Sequence, residues 1–337
     1  ITKDILKEFL NKKLPEVINE YKKTKDRYLY PIRMKLKYTV TLKPNVIPEG
    51  EIIRCWLPFP REGNPRQTDI KLISTNTNNY IIADNDNLQR TIYLEKESKK
   101  DTPTIFQIEF SFISKSEFVD IFSQKEITFD KNKNILNEFT QEKFPHIVFT
   151  ENIKNLSDKI IGNEKNKLKQ LKLIYEWINE NIPWASALEY STIDNISEYC
   201  VKNMHGDCGI KSMLFITLAR FNGIPAKWES GWMLHPDRIN LHDWAEIYTD
   251  EFGWIPVDVD FGLQNFDDTK LKYFYIGGID SYRFIVNDDF SQPLYPMKIY
   301  PRSETVDFQR GELEWRGGNL FFDKWNYDMQ IEYEKIN

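Results

Sequence analysis

A cysteine, a histidine and an aspartate, in that order along the chain, are the residue types of a nucleophile, a base and a group that orients the base. Cys208 stands in Met204-His205-Gly206-Asp207-Cys208-Gly209, at the head of an apolar run. His242 opens His242-Asp243-Trp244-Ala245-Glu246, and Asp258 closes Gly253-Trp254-Ile255-Pro256-Val257-Asp258. A thiolate attacks a carbonyl carbon, an imidazole handles the proton, and a carboxylate holds the imidazole in the required tautomer. The combination predicts acyl transfer through a covalent acyl-enzyme.

Each member alone has a plainer explanation. Free cysteines are commonly buried and inert, a strand histidine can simply bond to backbone, and an aspartate suits a turn. Position argues for the chemistry. Asp207 is a good N-cap residue, so Cys208 falls in the first turn of a helix, where unpaired N–H groups and the helix dipole favour a thiolate. Gly206 and Gly209 leave room for a substrate beside it. His242 shares one face of a period-two segment with Trp244, Glu246 and Tyr248. A turn at 250–253 makes a hairpin of this segment and the next. His242 precedes Asp250 by as many residues as Asp258 follows it, which predicts that the two lie roughly opposite each other on one face.

The elements that must hold these groups are legible from periodicity. The helix led by Cys208 runs to Asn222 and is apolar almost all round, so it is expected to be buried; Gly223 ends it and Pro225 prevents its resumption. Leu168, Leu171, Ile174, Tyr175 and Ile178 mark the face of an earlier helix, with Asn163 and Glu164 near its cap. A short helix is expected around Ile196, Tyr199 and Cys200. Residues 1–30 read as helical, with Pro15 as an interruption. From Ile32 the period becomes two, and strands are expected at 51–57, 68–74, 79–83, 88–95 and 104–113. The predicted organisation is therefore an N-terminal helical segment (1–30), a β-sandwich domain (31–115), a catalytic core (116–275) and a C-terminal β-rich extension (276–337).

The run from Gly206 to Phe261 resembles the core of the transglutaminase-like superfamily, whose fold is related to papain-like cysteine proteases. The family pattern is matched by Gly223-Ile224-Pro225-Ala226-Lys227, Gly231-Trp232, His242-Asp243-Trp244-Ala245-Glu246 and Gly253-Trp254-Ile255-Pro256-Val257-Asp258, with Lys227 in place of the usual arginine. The flanks are similar to bacterial proteins of this superfamily classed as candidate cysteine proteases, which carry an N-terminal β-domain and a tail like Val306-Asp307-Phe308-Gln309-Arg310-Gly311-Glu312. The resemblance implies an α+β, papain/transglutaminase-like core, a Cys-bearing buried helix against an antiparallel sheet, preceded by a β-sandwich-like domain. It implies Cys208 as nucleophile, His242 as base and Asp258 as orienter. It also places an aromatic or amide oxyanion donor upstream of the cysteine, where Trp184 and Tyr190 stand. Trp232 and Trp244, among the tryptophans near the expected cleft, could stack on a substrate or could be core.

Composition narrows the partners. The 337 residues carry 45 basic and 51 acidic side chains, for a net charge of −6, with both signs interspersed. No basic patch interleaved with aromatics suggests nucleic acid, and no apolar run is long enough to span a bilayer. Three cysteines do not make a disulfide framework. His205, Cys208, His235 and His242 could be imagined around zinc, but no Cys-Xaa-Xaa-Cys or His-Glu-Xaa-Xaa-His accompanies them. No calcium loop is present either, so no metal and no cofactor are expected. The chain opens at Ile1 rather than Met, so an upstream segment, with any export signal, is expected to be missing; a periplasmic or extracellular location is expected, with the cytoplasm as the alternative. The expected activity is a thiol peptidase or amidase acting on a protein, peptide or amide substrate. An amine-accepting protein transglutaminase and a non-catalytic binding module are the alternatives.

Overall fold

The computed structural model describes residues 2–129, 131–236 and 238–336, the first three without side-chain detail. The chain forms two units: one of residues 1–29 and 116–280, the other of residues 30–115 and 281–337.

The second unit is all-β and sandwich-like. In one sheet Tyr28–Leu42 pairs antiparallel with Trp325–Lys335 over eleven residues, from Ile32 opposite Lys335 to Leu42 opposite Trp325. Gln67–Thr75 pairs with Thr104–Phe118 in the same sheet, with register shifts after Thr68 and Leu72. The other sheet runs in the order Gly318–Leu320, Glu312–Trp315, Ile52–Pro58, Thr91–Glu97, Tyr80–Ile82. Met34, Leu36, Tyr38, Val40 and Leu42 are buried in alternation, as the period of two requires. Residues 281–337, which the sequence presents as a separate extension, supply partners to strands more than 200 positions earlier; strand pairing is non-local, and periodicity alone names no partner.

In the first unit the helix Thr2–Thr24 runs through Pro15 without a break. The expected interruption does not occur because Leu10, Leu14, Val17 and Ile18 are buried together on one face; packing of that face offsets the lost hydrogen bond. Glu151–Ile161, Lys167–Asn181 and Ile196–Asn203 surround the central helix Cys208–Phe221. The cap of Lys167–Asn181 is Asn166, whose side chain accepts from the Lys169 N–H, rather than Asn163. Glu164 instead accepts from the backbone of Lys165 and Asn166 ahead of it. Twelve consecutive residues of the central helix, Gly209–Arg220, are buried. It ends at Gly223 (φ 70°), where the Ile224 N–H returns to the Ala219 carbonyl and satisfies a terminal acceptor. Ala226–His235, Arg238–Thr249 and Gly253–Val257 then form an antiparallel run, and the Ser212 hydroxyl donates to the Asp243 carbonyl across the helix–sheet contact.

Candidate active site

Asp207 caps the central helix, its carboxylate accepting from the Ile210 N–H at 3.2 Å, so Cys208 is the first residue of that helix. Close packing around it explains the flanking glycines. A Cβ on Gly209 would lie 2.2 Å from the Tyr190 hydroxyl and 2.7 Å from Asp243 Oδ2, and one on Gly206 would lie 2.3 Å from Ile210. The expected room for substrate is in fact filled by side chains on these sides.

The hairpin is present, but its centre is one residue later than the equal spacing about Asp250 implies. Thr249 pairs with Gly253 and Ala245 with Val257, so Asp250–Phe252 form a three-residue loop. Gly253 takes a positive φ of 68°, which a glycine adopts without strain. The register leaves Asp258, just past the strand, two residues out of step with His242 but on its face. The result serves the pair well: His242 Nε2 lies 2.8 Å from Asp258 Oδ2, and both residues are buried. Asp258 Oδ1 accepts from the backbone N–H groups of Asp260 and Phe261, each at 3.1 Å. Tyr175 donates to the Asp258 carbonyl. The Trp244 ring lies over His242 at 5.9 Å, and Phe261 meets it edge-on at 5.1 Å.

The hydrogen bond of Cys208 Sγ is to Asp243 Oδ2, at 3.4 Å. Asp243 directly follows His242 on the same strand. Asp243 is buried, and sequence reading missed it because it counted only the face of His242. The consequence is electrostatic. Burial pushes the Cys208 thiol well up, and the carboxylates of Asp243, Asp207 and Asp260 push it further, opposed by a backbone hydrogen bond from Asp243. Burial and these carboxylates act against the helix dipole, which favours the thiolate. Burial likewise raises Asp207, against the opposing hydrogen bonds of Tyr190 and Ile210.

The tentative site residues divide. Trp184 is half exposed and its segment is tied to the loop before Cys208: Gly206 N–H donates to the Pro183 carbonyl and Ala185 N–H to the Gly206 carbonyl. Tyr190 is buried and gives its hydroxyl proton to Asp207 at 2.6 Å, so that proton is committed elsewhere. Trp232 and Trp244 have no exposure. They pack the sheet instead of lining a cleft, with the Trp244 indole N–H held by Glu229 at 2.5 Å. Lys227, in the place of the usual arginine, pairs with Glu246 at 3.1 Å and lies over the Trp254 ring, so a cation is retained there. His205, Cys208, His235 and His242 do not supply three converging metal ligands among the described residues. His235 is instead buried against Asp280, at 2.9 Å.

Residues 154–259 match the family model described as the transglutaminase-like superfamily. An uncharacterised protein of Haemophilus influenzae is 24% identical over 245 residues, covering 63% of this chain and 65% of that protein. The uncharacterised protein YebA of Bacillus subtilis is 23% identical over 134 residues, 34% of this chain and 18% of that one. The chain thus spans just under two thirds of the first relative and a fifth or less of the second. Among solved structures, a candidate cysteine protease of Cytophaga hutchinsonii covers 92% of both chains with a TM-score of 0.59 and 15% identity, a likeness of fold. Residues 154–259 thus carry the likeness to the transglutaminase-like superfamily, over about a third of the chain.

Proposed function

We propose that this protein is a thiol-dependent acyl-transfer enzyme, most directly a cysteine peptidase or amidase, with Cys208, His242 and Asp258 as its catalytic residues. The observation that carries the reading is the buried His242–Asp258 pair at 2.8 Å, one strand position from the residue that holds the Cys208 sulfur. Asp258 takes Nε2–H, which fixes the tautomer and gives Nδ1 the role of proton acceptor. The Cys208 proton passes to the imidazole as the sulfur attacks the substrate carbonyl. A C–S bond forms, the C–N bond breaks, and the imidazolium returns the proton to the leaving amine. Water, activated by the same imidazole, then releases the acid. The Cys208 backbone N–H is one oxyanion donor, and the half-exposed Trp184 indole is the side chain best placed along the chain for a second. A peptide or protein amide is the substrate class.

Assay of a library of peptide amides, with Cys208→Ala and His242→Ala as controls, tests the assignment. Turnover abolished in both, with the fold retained by circular dichroism, is the expected result. Undiminished turnover in Cys208→Ala would overturn it. Adding millimolar primary amine separates the two acyl acceptors: free acid remains the main product for a hydrolase, whereas diversion of most product into the amide would make this a transglutaminase.

A further inference from the structure

A cavity of about 420 Å³ lies in the first unit, and three of its residues join it to the candidate catalytic centre. Lys211 is one helical turn after Cys208, Trp184 is bridged to Gly206, and Phe261 packs on the His242 ring. Part of the wall is apolar, formed by Leu10, Trp184, Met233, Phe261 and Leu263. The charged lining is one-sided. Among the described residues of the lining, Lys7, Lys211 and Arg238 are cationic and Asp260 is the anion, in a chain whose overall charge is −6.

Lys211 is the decisive group. It is 6% exposed, yet its ammonium makes a single hydrogen bond among the described residues, to Asp260 Oδ1 at 2.8 Å. An ammonium carries three donors, so two of them are left to meet a group that enters the cavity. A carboxylate entering the cavity supplies the missing acceptors, and Lys7 and Arg238 add favourable charge along its path. The apolar wall suits the methylenes that carry such a carboxylate.

We infer that this cavity is an anion-selective substrate subsite, which binds a carboxylate-bearing portion of the acyl substrate, such as a glutamyl side chain of an acidic peptide, with Lys211 as its recognition group. The inference deepens the proposed function and rests on it for the word substrate, but binding can be measured apart from turnover. Lys211 is a specificity residue here, acting on the substrate away from the reacting atoms.

The experiment pairs short peptides that differ only in Glu against Gln, titrated calorimetrically into the Cys208→Ala form of the 337-residue chain and assayed for cleavage by the unaltered protein. The Glu peptide is expected to bind at least about tenfold tighter, the worth of one charge-assisted contact, with the preference lost in Lys211→Met and reduced in Arg238→Gln. Raised salt should shrink the preference, since part of it comes from exposed charge. Should Lys211→Met unfold because Asp260 loses its partner, the double variant Lys211→Met/Asp260→Leu removes both charges and still reads the preference. Equal binding of Glu and Gln peptides by the Cys208→Ala protein, or a Glu preference that survives loss of Lys211, overturns the subsite. If the Glu preference is present and depends on Lys211, but no peptide is cleaved, the subsite stands and the hydrolase reading fails.

Discussion

Two carboxylates divide the work around the candidate nucleophile. Asp258 holds the imidazole by a hydrogen bond, whereas Asp243 discourages a charged sulfur. Replacing Asp243 with Asn removes a negative charge beside Cys208, so the thiol should ionise at lower pH. We expect the iodoacetamide alkylation rate at pH 7 to rise and its pH midpoint to move down in Asp243→Asn, measured by mass spectrometry of the Cys208 peptide; an unchanged midpoint would show that Asp243 does not control the thiol. Cys208 should still label before Cys200, which is buried and pushed up to about 12 by desolvation, and before Cys55, raised by the same cause. Asp258→Asn should lower kcat by about 10³-fold or more through the wrong imidazole tautomer. Asp258→Ala also strands the N–H groups of Asp260 and Phe261, and should cost roughly 2–4 kcal/mol in urea unfolding. A fall in kcat below tenfold would count against Asp258 as the orienter.

At the scale of elements, the central helix is held from both ends and crowded at its start. Gly209→Ala puts a methyl group where the Tyr190 hydroxyl and Asp243 carboxylate already lie, so it should destabilise by about 1–3 kcal/mol and disturb thiol reactivity together. The check is a shifted urea midpoint accompanied by an altered alkylation rate; unchanged stability would mean that the neighbours yield freely. The start of Ile196–Asn203 carries a pH dependence. His146 Nδ1 accepts the Ile196 N–H at 3.4 Å, and burial lowers this histidine from its ordinary 6.5 to about 4. The folded state therefore binds fewer protons than the unfolded chain between about pH 6.5 and 4. Its contribution to stability is present above pH 6.5 and is lost as pH falls through that window. Urea midpoints at pH 7 and pH 5 should differ more for the unaltered protein than for His146→Gln, and equal slopes would remove His146 from the account.

For the molecule as a whole, closure of the β-unit depends on its last strand. Trp325–Lys335 covers the edge of Tyr28–Leu42 along eleven paired residues. A chain shortened to residue 324 exposes that long edge, and we expect concentration-dependent association in light scattering together with a lower melting temperature. A monomeric, equally stable truncated protein would show that the strand is dispensable. Within the same unit Glu312, in the tail motif 306–312, is buried on Lys298 with Arg302, and Glu304, just ahead of that motif, is buried on its Arg310. That tail motif therefore has a structural use here.

The sequence by itself determined the local elements around Cys208, His242 and Asp258. Residues 208–258 carry their caps, turns and alternation within short windows, so the Cys208 helix, the His242 strand and the face of Asp258 were all legible. A three-residue loop in place of a symmetric turn shifted the hairpin by one residue, a detail that only the backbone conformation at Gly253 decides. Tertiary structure alone decided which side chains of the strand reach the start of the helix. It thereby brought Asp243 to the sulfur, a carboxylate that acts against the helix dipole. It also buried Trp232 and Trp244, since an aromatic residue's pattern is the same whether it faces a core or a cleft. Lys211 and Asp260 lie 49 positions apart, and residues 281–337 pair with strands near the other end of the chain. Such pairings follow from packing across long sequence separations, where no local period carries a signal.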